Sequence, residues 1–189
     1  MKQIKLVIVI IIILLFAGGI FIGFNIGQNA NKSADAPNQP TGGTTLNLGG
    51  TGLTKVGSDI YSQTNTTNLI LSNNSIRTLP SEMGRMTKIT TFRIDHNMLE
   101  GSLIGEIRQM SGLQTLDVSY NNMTGMPAEI GQLSKLTTLN YSYNNIDGLP
   151  NELANLKNNL QEFNLTGNPL SADKINKLKT DLPNTNIIF

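Results

Sequence analysis

One feature outweighs the rest of this 189-residue chain: from about Gly43 to the C-terminus it repeats itself every 23 to 24 residues. Repeats begin near Gly43, Thr66, Ile89, Leu113, Leu136 and Leu160. A period of this length is one supersecondary unit. It is too short to bury an apolar face alone, so each unit must stack on its neighbours and share a continuous core with them. That requirement excludes a conventional globular core and predicts an elongated solenoid.

The columns of the repeat say what each residue does. The fourth position holds Leu46, Leu69, Phe92, Leu116, Leu139 and Phe163, and the sixth holds Leu48, Leu71, Ile94, Val118, Tyr141 and Leu165. Apolar residues two apart mark a short strand with one buried face. The eleventh position (Leu53, Ile76, Leu99, Met123, Ile146, Leu170) points into the same interior after a turn. Ile60, Met83, Ile107, Ile130 and Leu153, then Met86, Met110, Leu133 and Leu156, supply the return path. The ninth position reads Thr51, Asn74, Asn97, Asn121, Asn144 and Asn168. A column of short amides in a coil that turns at every repeat is expected to satisfy backbone groups rather than to form a chemical site. Pro80, Pro127 and Pro150 are expected to set extended backbone on the convex side, where no ladder donor is needed. Tyr141 occupies a core column, so its hydroxyl is expected to find a partner.

The form L-x-x-L-x-L-x-x-N-x-L followed by L-P-x-x-I-x-x-L, clearest in LQTLDVSYNNMTGMPAEIGQLSK (Leu113 to Lys135), resembles the leucine-rich repeat family from about residue 43 onwards. The resemblance implies an α/β solenoid of about six repeats with a parallel β-sheet on its concave face. Repeat three carries an inserted residue and Ile104 in place of Pro, and is similar to the 24-residue class of plant receptors; its neighbours resemble the 23-residue L-P class. Repeat one lacks Pro and has Gln63 at a convex apolar position, as an N-terminal cap would. At the other end, Ser171 is expected to cap a helix through about Asp181 that buries Ile175, Leu178 and Leu182. Leu182–Pro183 ends that helix, and a last strand from Asn186 to Phe189 closes the core.

Upstream, Leu6 to Phe24 reads LVIVIIIILLFAGGIFIGF, 19 residues without a charge. As a helix it would span roughly 28 Å, about the thickness of a bilayer core. Lys2 and Lys5 precede it and no basic residue follows until Lys32, which keeps the N-terminus in the cytoplasm. The expected organisation is a cytoplasmic tail (1–5), a single transmembrane signal-anchor (6–26), a flexible spacer rich in Asn, Gly, Ala and Pro (27–43) and the repeat domain (44–189) outside the membrane. A bacterial envelope protein is the expected setting. Cleavage at Ala34–Asp35–Ala36, giving a secreted protein, is the alternative; that site lies farther past the apolar run than signal cleavage normally tolerates.

Composition narrows the chemistry. Without cysteine and with one histidine, His96, thiolate zinc, iron–sulfur and multi-His metal sites are excluded. Lys2 and Lys5 account for two of the 14 basic residues against 13 acidic ones, so everything beyond the anchor nets −1 and nucleic acid is not the expected partner. No cofactor motif is present. A triad of His96 with Ser72, Ser119 or Ser142 and Asp95 or Asp117 would lie on an open sheet with nothing to exclude water, so no catalytic residue is assigned. Asp95 and Asp117 alone fall short of a calcium cage.

The family resemblance implies non-catalytic binding of a protein or peptide ligand by the concave face. Position five places Arg93, Asp117 and Asn140 there, position seven Asp95, and position eight His96, Tyr120 and Tyr143. Neighbouring strands lie about 4.8 Å apart, so the last three are expected to form a contiguous file. Tyr and Arg are frequent binding anchors; the competing explanation is that Tyr was drawn to these sites by strand propensity. The threonines at position three (Thr45, Thr91, Thr115, Thr138), interrupted by Asn68 and Glu162, are attributed to that propensity. Of the sequons, those at Asn65, Asn73, Asn122, Asn140 and Asn164 lie among the repeats, where an Asn/Thr/Ser-rich composition generates them. A sensor or assembly subunit acting through a transmembrane helix, which carries Gly19 and Gly23 in a G-x-x-x-G spacing, is the second functional reading.

Overall fold

A computed structural model describes residues 43–189. The expected tail and transmembrane segment, and all of the expected spacer but Gly43, lie outside the described residues. Among the described residues no helix is long and apolar enough to cross a membrane.

Seven parallel strands form one sheet in the order β1 (Thr44–Asn47), β2 (Thr66–Ile70), β3 (Thr91–Arg93), β5 (Thr115–Asp117), β7 (Thr138–Asn140), β8 (Glu162–Asn164) and β9 (Asn186–Ile188). From β2 to β8 the register is uniform: Leu69 pairs with Phe92, Phe92 with Leu116, Leu116 with Leu139, and Leu139 with Phe163. The fourth-position column is therefore one straight line of buried side chains, and the position-three residues form a parallel line one step away. The chain returns through a short helix α1 (Ser58–Tyr61) in repeat one, then through 3-10 helices Ser81–Arg85, Gly105–Gln109, Ala128–Gln132 and Asn151–Leu156.

Each 3-10 helix starts directly after an extended residue. Pro80, Pro127 and Pro150 have φ between −74 and −70 and ψ near 145, and Ile104 adopts the same conformation without a ring. Pre-set backbone before the helix explains why Pro recurs there, and Ile104 shows that the coil tolerates its loss.

The core is a single cluster running the length of the solenoid. Met83, Met86, Ile107, Met110, Ile130, Leu133 and Leu156 are fully buried together with the strand columns. At the N-terminal end Leu46, Leu48 and Leu53 are only half-buried. At the C-terminal end α2 (Ala172–Asp181) covers the last repeat through Leu178 and Leu182, and Lys174 Nζ donates to the Asp147 carbonyl. Two details of this cap differ from expectation. Ser171 stands at the N-cap position but its hydroxyl makes no capping bond, and Ile175 is only half-buried because α2 meets the core at its C-terminal end, through Leu178 and Leu182.

The two 24-residue repeats place their extra residue differently. In repeat three it falls between Leu99 and Leu103, where Gly101 takes a left-handed φ of 68 and β4 (Glu100–Gly101) pairs in parallel with β6 (Asn122–Met123) as a second, two-stranded sheet. In repeat five it falls between Leu156 and Leu160, and the 3-10 helix lengthens to six residues.

The convex helices pack closely enough to require glycine. A Cβ on Gly131 would sit 2.2 Å from the Glu152 carbonyl oxygen and 2.7 Å from its carbon. Backbone cannot swing aside as a side chain can, so Gly131→Ala is expected to destabilise by about 1–3 kcal/mol. Equilibrium urea unfolding checks this. Gly148→Ala, where a Cβ would meet nothing within 4 Å, should leave the midpoint nearly unchanged.

Candidate functional site

The backbone that carries position eight decides the character of this surface. The strands end at position five, so His96, Tyr120 and Tyr143 lie past them, not within them. Asn73, His96, Tyr120 and Tyr143 have φ of 59, 53, 52 and 53, and the same position is filled by Gly50 and Gly167 at φ 68 and 78 in the end repeats. The left-handed residue turns the chain so that the asparagine at position nine enters the interior. Its own N–H is held by the next repeat, as in His96 N to Ser119 O at 3.0 Å and Tyr120 N to Ser142 O at 2.9 Å.

A left-handed tyrosine is costly. Non-glycine residues held there lose of the order of 1–3 kcal/mol, and bulky ones are uncommon outliers. Strand propensity therefore cannot account for Tyr120 and Tyr143: they are not in strands, and their backbone favours glycine. The strain does align three rings. His96 stacks on Tyr120 with centroids 4.2 Å apart and planes 16° apart, and Tyr120 stacks on Tyr143 at 4.3 Å and 19°. Tyr143 in turn lies over Gly167, where a Cβ would meet its ring at 2.9 Å. That contact and the positive φ together require glycine at position 167. Tyr120 and Tyr143 remain 44% and 47% exposed, among the most exposed large apolar side chains described. The Tyr120 phenol is pushed above its usual range by loss of hydration first and by the neighbouring Tyr143 second, so it is a neutral hydroxyl at physiological pH.

The other sequence-expected residues divide into two groups. Asp117 and Asn140 serve their own turns: Asp117 Oδ1 accepts from Ser119 N at 3.1 Å and Ser119 Oγ at 2.7 Å, and Asn140 Oδ1 does the same for Ser142 at 3.1 and 2.8 Å. Asn47 and Asn164 repeat the pattern with Gly49 and Thr166. Position five is thus mostly a local cap, a role readable from its Asx–x–Ser/Thr/Gly spacing. Repeat three breaks the pattern because Arg93 replaces the Asx. Its carboxylate moves to position seven: Asp95 Oδ1 accepts from Ser72 Oγ, and Asp95 Oδ2 lies 2.9 Å from His96 Nδ1. Arg93 is exposed and makes no ion pair among the described residues.

This wiring bears on catalysis. In a nucleophilic triad the imidazole stands between hydroxyl and carboxylate. Here the carboxylate stands between Ser72 and His96, so His96 is oriented and Ser72 is not activated.

The asparagine column works inside the coil. Asn121 Oδ1 accepts from Leu99 N at 2.8 Å, while its Nδ2 donates to the carbonyls of Ile94, Val118 and Ser119 at 3.0–3.1 Å. Asn74, Asn97, Asn144 and Asn168 make the corresponding bonds.

Stacked 23- to 24-residue coils with a parallel concave sheet, an inward asparagine column and short convex helices define a leucine-rich repeat solenoid. Residues 108–170 match the family model described as Leucine rich repeat. Over 62 residues, 32% of this chain and 11% of the relative, the sequence is 37% identical to leucine-rich repeat and fibronectin type III domain-containing protein 1 of Danio rerio. An LRR protein of Leptospira interrogans superposes with a TM-score of 0.61 at 30% identity, over 76% of this chain and 42% of that one. The Arabidopsis receptor kinase HAESA, solved with the peptide hormone IDA and the co-receptor SERK1, superposes at 0.60 with 27% identity, over 67% of this chain and 22% of that one. PEPR1, solved with AtPEP1, gives 0.54 at 26% identity, over 61% and 17%. The chain spans less than half the length of each of these proteins.

Proposed function

We propose that this protein is a non-catalytic binding module, anchored through residues 6–26 and displayed outside the cell membrane, that holds a protein or peptide partner against the concave side of its repeats. The observation that carries the binding reading is the exposed file of His96, Tyr120 and Tyr143, kept in a backbone conformation that glycine would occupy at lower cost. Strain retained at an exposed aromatic patch points to a role outside folding. Arg93, with its guanidinium free beside the file, supplies a charged anchor, and short Ser, Thr and Asn side chains let a partner's backbone approach the sheet. HAESA, which shares the fold, was solved with the peptide hormone IDA, and PEPR1 with AtPEP1. The anchoring rests on the uncharged run of residues 6–24 and on Lys2 and Lys5 before it.

The test uses the full chain in its native membrane. Tyr120→Asn combined with Tyr143→Asn removes two rings and installs the residue already tolerated in this turn at Asn73. Loss of two central anchors should weaken capture of the cognate partner at least 30-fold, or about 2 kcal/mol, with unfolding little changed. Equal capture by the double variant overturns the reading. Protease added to intact cells should remove the repeat domain and leave the anchor in the membrane fraction; a protected repeat domain overturns the proposed topology.

A further inference from the structure

The ring file is closed at one end and open at the other. Beyond Tyr143 the next place is Gly167, whose backbone lies against the ring. Beyond His96 the next place is Asn73, an exposed residue whose side-chain amide makes no hydrogen bond among the described residues. The place after that is Gly50, beside which a Cβ would meet nothing within 4 Å. His96 is stacked on one side only, its side chain is half-exposed, and Asp95 holds its Nδ1, so the ring is oriented before any ligand arrives. The coil spacing that sets one ring 4.2–4.3 Å from the next continues to the Asn73 position, which carries a short exposed side chain in place of a ring.

We infer that the shelf over Asn73 and Gly50 is a receiving site for an aromatic side chain of the partner polypeptide, which displaces the unbonded Asn73 amide, stacks on the face of His96 turned away from Tyr120 and extends the file by one ring. This rests on the binding reading above and specifies which part of the partner it recognises. A planar group is required because the stack offers a flat face of fixed spacing, and aromatic pairs favour offset stacking at this separation. Asn73 can donate to or accept from the main chain that carries the ring. A nucleobase has the right shape, but the polyanion bearing it would meet Asp95 and Asp117 on a domain that lacks a basic excess. A polypeptide meets no such repulsion.

His96 is the only histidine of the chain, so its ring protons give one unambiguous NMR signal. The full chain, solubilised with its anchor, is titrated with N-acetyltyrosinamide, with N-acetylleucinamide as the apolar control and adenosine as the nucleobase arm. N-acetyltyrosinamide should shift the His96 ring protons upfield in a saturable way, as a stacked ring current does, and the leucine amide should not. Asn73→Tyr should reproduce the upfield shift without ligand and abolish the response; Asn73→Ala should retain it. Tyrosine is already carried in this turn by Tyr120 and Tyr143, and Asn73→Phe provides a second blocking variant should Asn73→Tyr fold poorly. Equal responses to the two amides, a stronger response to adenosine, or a response that survives in the blocked variants would each overturn the inference. If partner capture still depends on Tyr120 and Tyr143 in that event, the binding reading stands and only the receiving site falls.

Discussion

Asn121→Ala is expected to destabilise the protein by about 3–5 kcal/mol. The Leu99 amide it serves has no other acceptor and is buried, and an orphaned buried donor costs about 1–3 kcal/mol. The Ile94 and Val118 carbonyls each lose one of the two amide donors that reach them, the others being Asn97 and Asn144, at about 1 kcal/mol apiece. Position-six carbonyls face inward and accept from side chains where strands would supply a backbone donor, so the asparagine column takes the place of one ladder bond in every repeat. Asn121→Asp separates the two halves of the amide. It keeps an acceptor for Leu99 but turns an oxygen toward the Ile94 and Val118 carbonyls in a buried setting. It should therefore be at least as damaging as alanine at neutral pH and should recover partly on acidification, when the protonated carboxyl can donate. Urea unfolding of both variants at two pH values decides; a loss below about 1 kcal/mol would refute this account. A domain of this size has about a third to a half of its ordinary stability at stake in this one side chain.

Tyr141→Phe is expected to act in the opposite direction. Tyr141 fills a core column with no exposed surface, and contrary to the expectation that its hydroxyl finds a partner, the oxygen makes no hydrogen bond among the described residues. It belongs to the hydrophobic cluster that runs the length of the solenoid. Removing the hydroxyl spares its desolvation, so the variant should be more stable by about 1–3 kcal/mol at pH 7. The same burial pushes the Tyr141 phenol far above its usual range. The sign of the pH effect follows from this. Above about pH 10 the unfolded chain releases the phenolic proton and the folded chain retains it, so the native state binds more protons and stability falls as pH rises. The wild-type protein should lose about 1.4 kcal/mol per pH unit from this residue above pH 10, and Tyr141→Phe should lack that component. The difference between the two unfolding midpoints should accordingly widen from pH 9 to pH 11.5. A constant difference would show that the hydroxyl is hydrated in solution.

These two residues also show where reading a repeat works. Asn121 recurs at one position in five of the six coils, and recurrence in a unit that contacts only its neighbours implies the same environment each time. Its structural role could be assigned before any coordinate. Tyr141 departs from its column once, and a single departure says that something differs without saying how the neighbours respond. Likewise the extra residue of repeat three is visible as an insertion, but the paired β4 and β6 it creates depend on the left-handed Gly101 and on the coil beside it.

The candidate site divides along the same line. Spacing alone brings His96, Tyr120 and Tyr143 to equivalent places in successive coils, because a parallel register carries position eight of one repeat beside position eight of the next. Spacing also places Asp117 and Asn140 two residues before a serine, where a local cap forms. That the strands stop at position five, that the backbone turns left-handed at position eight, and that three rings consequently stack with one face closed by Gly167 and the other on the side of Asn73 were decided by tertiary structure. These outcomes depend on hydrogen bonds between coils, such as Tyr120 N to Ser142 O, which join residues more than 20 apart in sequence. Periodicity determines which side chains are neighbours; the pairing of whole coils determines the angle at which those neighbours meet.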